Sequence, residues 1–229
     1  MKRISLVYFF TIIFFQNINS MEQLVDTPEE RQKLRNQIAF KYICTDGINS
    51  FNKQLIGDGS IDFNFLYDDF QRTQLSIAAR SGNILTLAGP TYNPKTIKWL
   101  IDHRADPHIL DNTGRSAALW SIGSFQGENE HPIKLFFKKN PVDINQVFNI
   151  TNIGDELQSY QPKVTLLTAA VLTTWQMYGD DYSKAWYNLV RTLLEFNPDR
   201  NIAPNGKTAL QIAEELDDQE MIKILKEEQ

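Results

Sequence analysis

Asp58, Ser60, Asp62 and Asn64 stand at alternate positions, the spacing at which a loop can point side-chain oxygens at one hard cation. A calcium loop also needs glycine at its sixth place, for the sharp turn, and a bidentate glutamate at its twelfth. Phe63 and Asp69 occupy those places, so the four residues read better as turn chemistry. Gly206-Lys207-Thr208 matches the close of a phosphate-binding loop. However, Asn201 stands where the first glycine belongs, and the segment before it ends a helix rather than a strand. His103, His108 and His131 do not share a metal-ligand spacing. The acid pairs Asp68-Asp69, Asp180-Asp181 and Asp217-Asp218 fit solvated turns and helix ends. Cys44, the sole cysteine, follows Phe40, Tyr42 and Ile43 in a helical pattern and reads as a small core residue. No serine, cysteine or histidine arrangement suggests an activated nucleophile. The expectation is therefore no catalytic residue, no cofactor and no metal; the alternative is an enzyme or metal-dependent protein whose site is assembled in long insertions. Asn149-Ile150-Thr151 is an acceptor for N-glycosylation if the source is a eukaryote.

The elements that must carry these residues are short helices joined by tight turns. Ile97-Lys98-Trp99-Leu100-Ile101 places apolar groups on one helical face. Arg104-Ala105-Asp106-Pro107 ends that helix, because proline cannot continue it and disfavours the α region for the residue before it. Asp111-Asn112-Thr113-Gly114 is turn chemistry, and the Ser116 hydroxyl can cap a new helix. Thr27-Pro28-Glu29-Glu30 is another start, with acids facing the positive end of the helix dipole, and its helix runs to about Cys44. A second helix is expected over 48–56.

The chain has 229 residues, enough for one core or for about five stacked units of roughly 33–45 residues. Hydrophobic content is 42% and charged content 22%, ordinary for a globular protein. A net charge of −5 supplies no basic face for phosphate contacts and argues against nucleic acid as a partner. Lys2 and Arg3, the apolar run 4–15 and the small residue Ser20 form a secretory signal pattern over residues 1–20. That run is shorter than the roughly 20 residues of a spanning helix. The expectation is export, periplasmic or secreted, after cleavage near Met21, with no membrane attachment thereafter and a monomeric mature chain. Retention of 1–20 as an anchor is the alternative.

Related patterns recur in one order and phase. Thr73-Gln74-Leu75-Ser76-Ile77-Ala78-Ala79 with Gly82, Ser116-Ala117-Ala118, Thr165 to Ala170, and Thr208-Ala209-Leu210-Gln211-Ile212-Ala213 each open a unit. Thr208 and Gln211 form a capping box. Second halves follow as Leu55-Ile56 to Asn64, Leu100-Ile101 to Asp106, Leu135-Phe136-Phe137 to Asn145, and Leu193-Leu194 to Asn201. On these residues the chain resembles the ankyrin-repeat family over nearly all of its length beyond residue 20. The resemblance implies an all-α, helix-turn-helix solenoid of about five repeats with capping ends, at 22–64, 65–108, 109–145, 146–201 and 202–229. It also implies a non-catalytic domain that binds another protein, a host protein being one candidate.

The chain departs from the family where the proline after the capping threonine is replaced by Gln74, Ala117, Leu166 and Ala209. The steps Thr73 to Ser116 and Thr165 to Thr208 are each about ten residues longer than the family's roughly 33. The extra residues are expected as insertions at 84–95, 123–131 and 172–183, within helix pairs, with a longer one at 146–163 in a turn between units. Tyr92, Trp175, Tyr178, Tyr182, Trp186 and Tyr187 lie in or beside these insertions. The binding face is expected on the opposite edge, along the inter-unit turns and adjoining first helices. It would comprise Phe65, Tyr67, His108, Asn112, Trp120, Asn149, Ala203 and Asn205, a mixture of apolar anchors and short polar groups.

Overall fold

A computed structural model describes residues 27–45, 61–66, 71–80, 94–123, 133–139, 143–150, 163–176 and 180–227. The expected signal segment, the helix over 48–56, Gly82, Tyr67 and most of the insertions lie outside the described residues.

Nine helices are described: α1 (Pro28–Thr45), α2 (Gln74–Arg80), α3 (Pro94–Asp102), α4 (Ala117–Ile122), α5 (Ile133–Lys139), α6 (Leu166–Gln176), α7 (Asp180–Leu194), α8 (Ala209–Glu215) and α9 (Gln219–Lys226). Five of them start where a hydroxyl can cap an orphan amide. The Oγ of Thr27, Thr73, Ser116, Thr165 and Thr208 accepts from the amide three residues on, in Glu30, Ser76, Leu119, Thr168 and Gln211. At Thr208 the Gln211 side chain returns the bond to the Thr208 N–H, at 2.8 Å, completing the capping box.

Behind four of these caps, Thr73, Ser116, Thr165 and Thr208, the helix presents small residues. Ala78, Ala79, Ala117, Ala118, Ala169, Ala170, Ala209 and Ala213 are all buried. With so little side chain between them, helix axes can approach closely, and α2, α4, α6 and α8 stack in one row. A second row, α3, α5, α7 and α9, packs behind, each helix against its partner. Between α5 and the end of α7 the link is Phe137 stacked on Phe196, centroids 4.4 Å apart, beside the Lys134–Glu195 ion pair. The core runs unbroken between the rows, from Leu75 and Ile97 through Phe136 and Leu189 to Met221 and Leu225. This is the all-α repeat solenoid expected, with one addition. A two-stranded antiparallel pair, β1 (Phe148–Asn149) and β2 (Lys163–Val164), joins Phe148 to Val164 and Asn149 to Lys163.

The expected insertion at 172–183 is corrected. α6 continues to Gln176 and α7 begins at Asp180, so most of those residues are extra helix. At 1.5 Å per residue, α6 with 11 residues is about 7 Å longer than α4 with 6. Thr173 lies in this extension and is buried, its hydroxyl donating to Ala169 O at 2.5 Å. Trp186 is likewise core rather than loop, 4% exposed on α7. The Tyr187 hydroxyl donates to Asp218 at 3.0 Å. Asp218, of a pair expected at solvated turns and helix ends, is the N-cap of α9.

Candidate functional site

Each inter-unit turn begins with an aspartate that folds the backbone onto itself. Asp62, Asp106, Asp143 and Asp199 each accept from the amide two residues on, at 2.8–2.9 Å. The residue at that second place is Asn64, His108, Asn145 or Asn201. Two of these asparagines tie one turn to the next: Asp106 N–H donates to Asn64 Oδ1, and Asp199 N–H to Asn145 Oδ1, both at 2.7 Å. Of the residues spaced like a calcium loop, Asp62 and Asn64 are turn-forming groups engaged in backbone bonds, and Asp58 and Ser60 lie outside the described residues. Among the described residues no three His, Cys, Asp or Glu side chains gather as a metal would require. Gly206-Lys207-Thr208 is a turn and cap, with Lys207 paired to Glu215 at 2.6 Å.

The next turn is built around a buried carboxylate. Asp111 Oδ1 accepts from the amides of Thr113 and Arg115 and from the Thr113 hydroxyl; Oδ2 accepts from Trp120 Nε1 at 2.7 Å. The Arg115 guanidinium lies over the Trp120 ring, 4.5 Å from its centroid. Trp120 is therefore half-buried and pinned to the turn. Asp111 N–H donates to Arg115 O at 3.0 Å, and the β1–β2 pair of Phe148 with Val164 holds the same register before the next cap.

The turn tips touch one another. Gly114 lies so close to the Asn149 carbonyl that a Cβ there would stand 2.0 Å from its oxygen. Asn149 pairs with Lys163, and Lys163 O accepts from Asn205 Nδ2 at 2.6 Å. Asn112 is exposed in the first of these tips, Asn149 in the second, and Ala203 beside Asn205 in the third. Of the expected face, the structure thus gathers Asn112, Asn149, Ala203 and Asn205 into one row, with Trp120 tied to it by Asp111. Phe65 and His108 stand nearer the turn bases: Phe65 is half-buried, and His108 is exposed with only its backbone engaged. The side chains of Tyr67 and Trp175 lie outside the described residues.

The sequence reading missed Leu66, Leu110 and Val147, the large apolar side chains left exposed among the described residues, at 41, 43 and 39%. Each stands four residues after its turn aspartate, as exposed Ala203 does after Asp199. Aligning the units on Asp62, Asp106, Asp143 and Asp199 would have revealed the column.

No family model and no curated protein matches the chain. Among solved structures, it is similar to an ankyrin repeat domain from Acinetobacter baumannii AYE. The two are 21% identical, with a TM-score of 0.53, over 75% of this chain and 71% of that one. The protein has the ankyrin-repeat fold.

Proposed function

We propose that this chain is an exported, non-catalytic module that binds another protein through the edge formed by its inter-unit turns. The observation that carries this reading is the row of tips from Asn112 through Asn149 and Lys163 to Asn205, held by backbone contact at Gly114 and Asn149, by strand pairing of Asn149 with Lys163, and by the Asn205 side chain on Lys163 O. An edge fixed in this way offers a partner a preorganised surface, so little ordering entropy is lost on binding. Ankyrin repeats in general bind other proteins, and stacked repeats suit that task because their surface is extended. The reading includes a leader at 1–20, a single domain over 21–229 in about five units, and a monomer with neither nucleic acid nor membrane as partner. Among the described residues no helix is long and apolar enough to cross a membrane.

The test immobilises the protein, captures partners from a candidate host or source extract, and identifies them by mass spectrometry. Asn112→Arg with Asn149→Arg should abolish capture while leaving circular dichroism and melting unchanged, since both residues are exposed. Capture that survives this pair but is lost in Trp175→Ala would place the surface on the opposite edge. Export is tested separately by N-terminal sequencing of protein recovered outside the cytoplasm, which should begin near Met21.

A further inference from the structure

Single exposed apolar residues are common on any protein and need no explanation. Leu66, Leu110 and Val147 differ because they hold one register position, four residues after the turn aspartate, in three successive turns. We propose that this column receives an amphipathic α-helix of a partner protein, with apolar residues seven apart and lysine or arginine on its flanks. The proposal rests on the turn-edge reading above and specifies what that edge holds.

The spacing argues for a helix. Units stack at the packing distance of helices, about 8–10 Å. The Asn64–Asp106 and Asn145–Asp199 bonds keep adjacent turns in contact at that step. A residue that recurs once per unit is therefore repeated about every 10 Å. Seven residues of α-helix advance about 10.5 Å and return near the same face. Three residues of strand advance about 10 Å but finish on the opposite face. A polyproline helix also advances about 9 Å per three residues. Its usual receptor is an aromatic-lined groove, and this column is aliphatic.

Charge fixes the flanks. Four residues before each column position stands an aspartate, Asp62, Asp106 and Asp143, with Asp199 opening the fourth turn. Each gives one oxygen to its own turn, and none of the four has an ion-pair partner among the described residues. A basic flank would meet this acidic row, whereas an acidic helix would be repelled.

The probe is a labelled helical peptide of three heptads, with leucine every seventh residue, lysine on both flanks and alanine elsewhere. It is titrated against the full chain by fluorescence polarisation. Three control peptides are used: the same composition with leucine spacing scrambled, the same sequence with glutamate for lysine, and a proline-rich peptide of equal length. The heptad peptide should bind most tightly. Leu110→Ser should weaken it, and the triple variant Leu66→Ser, Leu110→Ser, Val147→Ser should weaken it by about tenfold or more, the equivalent of about 1.4 kcal/mol. Melting should be unchanged in each variant. Equal binding of the scrambled peptide, tighter binding of the proline-rich one, or indifference to Leu110→Ser would overturn the proposal. If any of these occurred while Asn112→Arg with Asn149→Arg still abolished capture, the helix would be wrong and the turn edge right.

Discussion

Gly114 and Gly206 hold the same place in two turns and adopt the same conformation, φ +79° and +80°. Each donates its amide to the carbonyl three residues back, Asp111 or Ala203, at 3.0 Å. Their surroundings differ. A side chain at Gly114 would meet the Asn149 backbone, whereas nothing lies within 4 Å of the equivalent point at Gly206. The interior turn is clamped by the next unit. The final turn instead touches its neighbour through a side chain, the Asn205 amide on Lys163 O. The comparison separates two demands on one residue type: the left-handed backbone is required by the turn itself, and close approach only where another unit follows.

The largest expected effect comes from breaking both demands at once. Gly114→Ala should cost about 3–4 kcal/mol, the sum of left-handed strain and overpacking against a backbone that cannot yield cheaply. Gly206→Ala, facing strain alone, should cost only about 1–2 kcal/mol. Denaturant titration of the two variants measures the difference, and equal losses would show that the clamp at Asn149 contributes nothing.

Asp111→Ala comes between them. It would leave the Thr113 and Arg115 amides and the Trp120 indole N–H buried without their acceptor, at a cost of about 2–3 kcal/mol. Ala203 already occupies the matching place in the final turn, so that turn does without such a carboxylate. The same titration, with Trp120 fluorescence as a local probe, checks it.

The smallest effect should be a gain. Arg104 ends α3 at φ +68°, where glycine carries no Cβ penalty. Its amide donates to Ile101 O and the Ala105 amide to Leu100 O, closing the helix. Arg104→Gly should be stabilising by roughly 0.5 kcal/mol, with relieved strain partly offset by a looser unfolded chain. A lower melting temperature would mean that the arginine side chain contributes more than its backbone costs.

These positions show what was legible in the sequence. Thr73, Ser116, Thr165 and Thr208 were readable as caps because capping is local: hydroxyl and amide lie three residues apart. The buried alanines were readable because close helix approach demands them. Arg104, Asn197 and Gln71 were not readable as left-handed residues, φ +68°, +54° and +53°, since no glycine marks them. The stretch 172–183 was misjudged because Thr-Thr-Trp-Gln-Met and Asp-Asp-Tyr-Ser-Lys suit either a loop or a lengthened helix. In the structure Thr173 is buried and donates to Ala169 O, which ties the lengthened α6 to the core. At the candidate site the tips were placed on one edge, but their order of contact was hidden. Gly114 on Asn149 and Asn205 on Lys163 are non-local pairs with no signature in spacing.

The most direct measurement of the central claim is amide hydrogen exchange with and without a captured partner. Binding at the turn edge should add protection over 106–116, 143–150, 163–165 and 199–207 while leaving the second-row helices α3 and α5 unchanged. Protection added instead at 172–183 and the start of α7, with the turns unaltered, would contradict it.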